Sequence, residues 1–199
     1  MSFLINLFNN TIKKSREWRF RHLAFLGKIL LKLGITPNQL TFFSFLCGLL
    51  AVYFLFQKHS FFVLFSFFHL LTDALDGVLA RLDKPSPWGK YLDYTNDQLI
   101  CFFLLGKIYF FLQDKFVLLV ISLFIFSQIP YLLSRFRYPL LFFRTSLVLS
   151  LMLAPLFSLK LISQITYLIA GIFSLYSLLL QLRVFLSTKG FPKFRIFLF

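Results

Sequence analysis

The sequence predicts an all-α integral membrane protein, with six transmembrane helices preceded by an interfacial amphipathic N-terminal helix. Three observations carry this. First, the 199 residues are 59% hydrophobic and 21% aromatic with a mean hydropathy of +0.81, and only 14% are charged, against about 25% in a soluble domain. Second, 31 of them are phenylalanines, too many to hide in one water-soluble core of this size. Third, the basic residues sit between long apolar runs. A soluble globular protein, a disordered chain and a disulfide-stapled secreted domain are excluded. Cys47 and Cys101 both fall inside apolar runs, which supports neither a bridge nor a thiolate metal site. A net charge of +14 invites a nucleic-acid partner, but that reading needs the charge gathered on a water-facing element. No nucleic acid is expected.

Residues 1–33 mix apolar side chains (Phe3, Leu7, Phe8, Ile12, Trp18, Phe20) with Lys13, Lys14, Arg16, Arg19, Arg21, Lys28 and Lys32. That mixture is too charged to span a bilayer and suits a helix lying in the headgroup region. The start, MSFLINLFNN, lacks the early positive charge and small-residue cleavage site of a secretory signal. Gly34 breaks the helix, and Thr36-Pro37 reads as an N-cap followed by proline at the first helical position. A first crossing is expected over Asn38–Phe56. The turn at Gln57-Lys58-His59 leads into a second over about 60–83. Pro85 and Pro87 separate it from a third, about Trp88–Leu112, with Trp88 as an interface anchor. After Gln113-Asp114-Lys115, crossings follow at about 116–133, 139–157 and 161–186. The expected organisation is an interfacial segment at 1–33, one six-helix membrane domain at 34–186, and a basic tail at 187–199.

Six crossings place both termini on one side of the membrane. On that side fall 17 of the 21 Lys and Arg residues; only Lys58, Lys107, Lys115 and Lys160 fall on the other. Such a bias in short loops makes the 17-residue side cytoplasmic.

Five of the seven acids lie within residues 73–97. The uninterrupted apolar flanks, about 61–71 and 99–112, give only 11–14 residues each, or roughly 17–21 Å of helix against a hydrocarbon thickness near 30 Å. To complete a crossing, these helices must carry Asp73, Asp76, Asp93 and Asp97 below the headgroups. There an ionised acid costs several kcal/mol unless paired or hydrated. Asp73 and Asp76 are i and i+3, and Asp93 and Asp97 are i and i+4, so each pair shares one helix face. Four converging carboxylates would repel and take up protons unless a cation neutralised them. An all-oxygen donor set favours a hard ion, Mg²⁺ or Mn²⁺, and two divalent ions would balance four carboxylates. Asp83, between Arg81 and Lys84, is instead expected in a loop charge network.

Gly77 and Gly89 open space beside Asp76 and Asp93, although Gly77 alone would also suit a helix-packing contact. Arg81, one turn past Gly77, is placed to meet a phosphate. Carboxylates, hard ions, a gap and an arginine describe phosphate-transfer chemistry at a membrane surface. His69, four residues before Asp73, is either a hydrogen-bonding partner of that acid or an ordinary satisfied helix histidine. Cys101 is expected to be packing.

The same stretch resembles the signature of the CDP-alcohol phosphatidyltransferases, D-x2-D-G-x2-A-R-x8-G-x3-D-x3-D. Here it reads Asp73-x2-Asp76-Gly77-x2-Ala80-Arg81, then Gly89-x3-Asp93-x3-Asp97, with all eight fixed residues present. The spacer between Arg81 and Gly89 is seven residues rather than eight, a deletion within the proline turn. Thr36-Pro37-Asn38-Gln39-Leu40-Thr41 also resembles the segment that opens the family's first membrane helix.

The resemblance implies a homodimeric membrane enzyme that moves a phosphatidyl group from a CDP-alcohol, CDP-diacylglycerol by preference, to an acceptor alcohol, releasing CMP. It implies that Asp73, Asp76 and Asp93 hold divalent metal on the diphosphate. Asp97 would touch a metal and act as general base. Gly77, Ala80 and Arg81 would contact the cytidine diphosphate, with Asn38 and Thr41 near the nucleotide. Arg135, Arg137 and Arg144 lie on the same expected side as the acids and suit a phosphate on the acceptor, although Arg135 and Arg137 are equally explained as positive-inside anchors. That favours glycerol 3-phosphate or an inositol phosphate over serine, and the short chain favours glycerol 3-phosphate. The alternative is a cation or proton transporter using the same aspartates. A non-catalytic scaffold is disfavoured by the complete acid set.

Overall fold

The structure, a computed structural model, describes residues 2–83, 87–134, 136, 138–141 and 143–188, and their side chains except those of 2–13, 15, 16, 87 and 188. Among them are seven α-helices: α1 (Ser2–Lys32), α2 (Pro37–Phe54), α3 (His59–Leu82), α4 (Pro87–Leu112), α5 (Lys115–Leu133), α6 (Arg144–Met152) and α7 (Leu159–Thr188). A 3₁₀ turn spans Ala154–Leu156. The chain divides into two compact units. The first takes the described residues of Met1–Tyr53 and Ser60–Gln98, the second those of Phe54–His59 and Leu99–Phe199.

In the first unit α1 ends as its sequence requires. Gly34 adopts φ +76°, Ile35 N donates to Leu30 O and Gly34 N to Leu31 O, both at 3.0 Å. This paired closure satisfies two carbonyls that the helix end would orphan. Leu30 and Ile35 then pack with Leu23, Leu31 and Leu71 around buried Leu40, Leu75 and Leu79. Gly27 sets how near α1 comes to α3: a methyl group built there would lie 3.0 Å from Leu82 Cδ1 and 3.1 Å from Val78 Cγ1. Gly27→Leu should therefore lower the stability of the detergent-purified protein by about 1–3 kcal/mol. The loss should be read as an earlier thermal unfolding midpoint, with α1 becoming the first segment cut by protease.

Thr36 and Gln39 start α2 by a reciprocal cap. Gln39 N donates to Thr36 Oγ1 at 3.3 Å, and Thr36 N donates to Gln39 Oε1 at 2.9 Å. Leu40, Thr41, Ser44, Cys47, Gly48 and Ala51 form the buried face of this helix, while Phe42, Phe43, Leu46, Leu50 and Tyr53 face outward. Small groups inside and large apolar groups outside reverse the pattern of a soluble helix. It is the arrangement of a helix whose outer face meets lipid.

The second unit shows the same inversion more fully. Ser163, Thr166, Ala170, Ser174, Ser177 and Gln181 form a buried seam along α7, while Ile165, Leu168, Ile172, Leu175, Leu179 and Leu182 are exposed. The seam bonds across to its neighbours. Ser150 and Thr166 share a hydroxyl contact of 2.8 Å, and Ser177 Oγ accepts from Leu141 N at 3.0 Å. Asp114 caps α5 by accepting from Phe116 N at 2.9 Å, and its other oxygen accepts from the Tyr167 hydroxyl at 3.0 Å. The partly buried bonds from Thr166, Tyr167 and Ser177 fix the register of α5 and α6 against α7.

Helix boundaries agree with the expected segments within a few residues except at the fifth crossing. Among the described residues of 139–157, the regular structure is the nine-residue α6 and the 3₁₀ turn. Nine helical residues reach about 14 Å, half the hydrocarbon thickness. Among the described residues, four helices are long and apolar enough to cross a membrane: Pro37–Phe54, His59–Leu82, Lys115–Leu133 and Leu159–Ser187. The polar first half of α4, with Lys90, Asp93, Asn96, Asp97 and Gln98, keeps it out of that set. Lys84 to Ser86 of the proline turn, Arg135, Arg137 and tail residues 189–199 lie outside the described residues.

Candidate functional site

Depth along the helices brings the acids into line. Asp76 lies six residues before the end of α3, and Asp93 six after the start of α4, so each sits about 9 Å from a helix end. Asp73 and Asp97 lie about one turn deeper, roughly 14–15 Å in. Asp73, Asp76 and Asp93 converge: one carboxylate oxygen of each lies within 4.8 Å of the other two. Asp76 is buried at 6% exposure, and Asp73 and Asp93 are half-buried. Asp97, also half-buried, stands outside this trio, one helical turn below Asp93 on the same face of α4.

The trio suits a hard divalent cation. Three oxygens so spaced always leave some point within about 2.8 Å of all of them, a small side-chain rotation from a Mg²⁺–oxygen bond. The donors are all carboxylate and largely withdrawn from solvent, so their mutual repulsion calls for a positive charge.

One tie to this cluster escaped the sequence. Thr41 Oγ1 donates to Asp76 Oδ2 at 2.8 Å, and its alternative acceptor is Pro37 O at 3.0 Å. A hydroxyl has one proton, and a carboxylate is the stronger acceptor. Thr41 was expected near the nucleotide; its hydroxyl meets the most buried acid of the cluster. Thr41→Val keeps the shape and removes the donor. It should weaken metal affinity about 10-fold, the lower end for partners that orient metal ligands, and Thr41→Ser should restore it. Mn²⁺ titration of each purified variant, read by loss of the free-ion signal, checks this directly.

A second tie lies one turn away. The Ser44 carbonyl can only accept, so His69 Nδ1, 2.9 Å from it, carries the proton. The Ser44 hydroxyl in turn donates to His69 O at 2.9 Å. His69 thereby locks α2 against α3, just below the aspartates.

Gly77 is exposed, and a methyl group built on it meets nothing within 4 Å. The gap beside Asp76 is open space, not a packing contact. Ala80 is half-buried, and Arg81 is exposed with its guanidinium carbon 5.9 Å from the centre of the Phe20 ring of α1. This contact leaves the guanidinium edge usable for an anion. Asn38 is exposed in the first turn of α2. Cys101 is buried, as expected of a packing residue. Arg144 is buried at 8% exposure, in the second unit.

The spacing and the convergence of the acids can be set beside known proteins. The sequence model of the CDP-alcohol phosphatidyltransferases matches residues 34–181, more than half of the chain, and takes in the whole aspartate motif. The chain belongs to the CDP-alcohol phosphatidyltransferase family. A curated relative is the archaetidylinositol phosphate synthase of Pyrococcus horikoshii, 47% identical over 76 residues. That match covers 37% of this chain and 40% of the relative's length. For a member of this family, the motif's acids are where the structure gathers carboxylates, and the glycine of its D-G pair is where it leaves room.

Proposed function

We propose that the protein transfers a phosphatidyl group from a CDP-alcohol, CDP-diacylglycerol in the first instance, to a phosphorylated alcohol, releasing CMP. The observation that carries this reading is the convergence of Asp73, Asp76 and Asp93 on one point within the motif of the family. These three would hold divalent metal, Mg²⁺ or Mn²⁺, and two such ions would balance all four acids. Bound metal supplies Lewis-acid stabilisation for charge developing on the departing phosphate. Asp97, one turn deeper, takes the proton from the acceptor hydroxyl as its oxygen bonds to the lipid-bearing phosphorus; the bond from that phosphorus to CMP breaks. Gly77 admits the diphosphate, Ala80 lies beside it, Arg81 pairs with it, and Asn38 reaches the nucleotide.

Arg135, Arg137 and Arg144 would bind the acceptor's phosphate. Glycerol 3-phosphate is the first reading for that acceptor. The printed name of the Pyrococcus relative favours an inositol phosphate as the second reading. The proposed topology keeps six crossings, with α4 as the polar-ended third, residues 139–157 as the fifth, and both termini and the acids on the cytoplasmic side.

The test is CMP release from CDP-diacylglycerol by protein in lipid nanodiscs with Mg²⁺ or Mn²⁺, across glycerol 3-phosphate, inositol phosphate, serine and phosphatidylglycerol. Release that needs both metal and one phosphorylated acceptor is the expected result, and that acceptor decides between the two readings. Cation uptake in proteoliposomes with no CMP formed from any acceptor would replace the transferase with the transporter.

A further inference from the structure

Arg81 occupies a border on α3. At about 100° per residue, Asp73, Asp76, Gly77 and Ala80 share an arc of about 100°. The residues that meet α1, namely Leu75, Val78, Leu79 and Leu82, share the opposite arc, also about 100° wide. Arg81 falls between them, about 40° beyond Gly77 and about 60° short of Val78. From there its side chain can turn toward the acids or toward α1, and it turns toward α1. Its guanidinium carbon stands over the Phe20 ring, 5.9 Å from the centre.

The ring is itself held in place. Phe20 is half-buried and lies two turns before Gly27 on the same face of α1. Gly27 comes close to Val78 and Leu82, and Leu23, Leu30 and Leu31 pack with Leu75 and Leu79. This face of α1 is thus clamped along the last two turns of α3, the turns that carry Asp76, Gly77, Ala80 and Arg81. Trp18, Phe25, Leu26, Ile29 and Leu33, the exposed apolar residues of α1, lie on the other side of the helix. Phe20 is not one of that outward set.

An arginine loose in solvent has rotamer freedom to lose when it closes on an anion. Resting on a ring whose own place is set, it has lost part of that freedom beforehand. The ring covers only the flat face of the guanidinium. The N–H donors point outward in its plane, where two phosphate oxygens can accept them. The anion can therefore bind without breaking the contact.

We infer that Phe20 is a positioning residue for the transfer, its ring holding the Arg81 guanidinium ready for the diphosphate of the CDP-alcohol. This rests on the reading proposed above, that Arg81 pairs with that diphosphate. Phe20 itself touches no substrate and acts through Arg81 alone.

The experiment measures equilibrium binding of CDP-diacylglycerol to the full chain in phosphatidylcholine nanodiscs with Mg²⁺, beside steady-state CMP release with the acceptor that supports turnover. Phe20→Leu should weaken donor binding about two- to fivefold, the worth of an exposed contact between a cation and a ring. The donor KM should rise by the same factor with kcat unchanged. Phe20→Trp keeps a ring for the guanidinium and should bind the donor as the unaltered protein does. With Arg81→Ala already in place, adding Phe20→Leu should change nothing further. A ring that merely supports the fold would weaken the donor equally whether residue 81 is arginine or alanine, and that result would overturn the inference. So would a Phe20→Leu protein that binds the donor as tightly as the unaltered one, or more tightly, which would make the ring a resting place competing with the phosphate. Donor binding untouched by Arg81→Ala would instead remove Arg81 from the diphosphate, and the inference would fall with the reading beneath it.

Discussion

Asp97→Asn should bind the CDP-linked donor within about threefold of the unaltered protein and yet lose 10²–10⁴-fold in turnover, the range that a positioned general base supplies. The reason is positional. Asp97 stands one turn from the Asp73, Asp76 and Asp93 trio, so its carboxamide leaves those three oxygens intact. Asparagine keeps the volume and a carbonyl oxygen but cannot accept a proton near neutral pH. The loss should therefore fall on kcat and not on the donor KM, the signature of an interaction made in the transition state. Single-turnover CMP release beside equilibrium donor binding separates the two quantities. Near-normal release would remove Asp97 as the base.

Gly77 supplies the second large effect, with the opposite signature. A methyl group there touches nothing within 4 Å, and alanine is about 1 kcal/mol better than glycine inside a helix. Gly77→Ala should hold or raise the thermal midpoint. If the diphosphate passes beside this backbone, the same methyl group occupies its path, and a displacement near 1 Å costs about 10²-fold. A more stable protein with a donor KM raised about 100-fold is the expected pair of results. Activity equal to that of the unaltered protein would mean the ligand does not approach Gly77. Gly27 makes the contrast: a methyl group there meets Leu82 and Val78 at 3.0 and 3.1 Å, so its substitution should lower stability first.

Much of this was legible in the residues themselves. Helix starts and stops follow from local chemistry: Gly34 with its positive φ, the Thr36–Gln39 cap, and Asp114 capping α5. The acid spacing was readable for the same reason, since i, i+3 and i, i+4 pairs share a face whatever surrounds them. What could not be read were pairings across long separations. Thr41 and Asp76 are 35 residues apart, and Ser44 and His69 are 25 apart. A lone hydroxyl in an apolar helix names no partner. The short helix within residues 139–157 was not foreseen because hydropathy averages composition, whereas Pro139 and Pro155 decide where helix can form. Without its backbone donors and with its φ fixed, each proline interrupts a run that hydropathy joins. The α7 seam from Ser163 to Gln181, at steps of three and four residues, was open to view as a polar stripe. It was passed over because small hydroxyl residues hardly lower a hydropathy average.

Mn²⁺ binding, followed by the loss of the free-ion paramagnetic resonance signal as purified protein is added, reaches the aspartate site without needing any substrate. The unaltered protein should take up Mn²⁺ saturably, and Asp76→Asn and Asp93→Asn should each lose at least tenfold in affinity with the fold intact by thermal midpoint. Unchanged Mn²⁺ uptake by both variants would mean that the three converging carboxylates hold no metal, and the phosphate-transfer chemistry would have to be sought elsewhere in the chain.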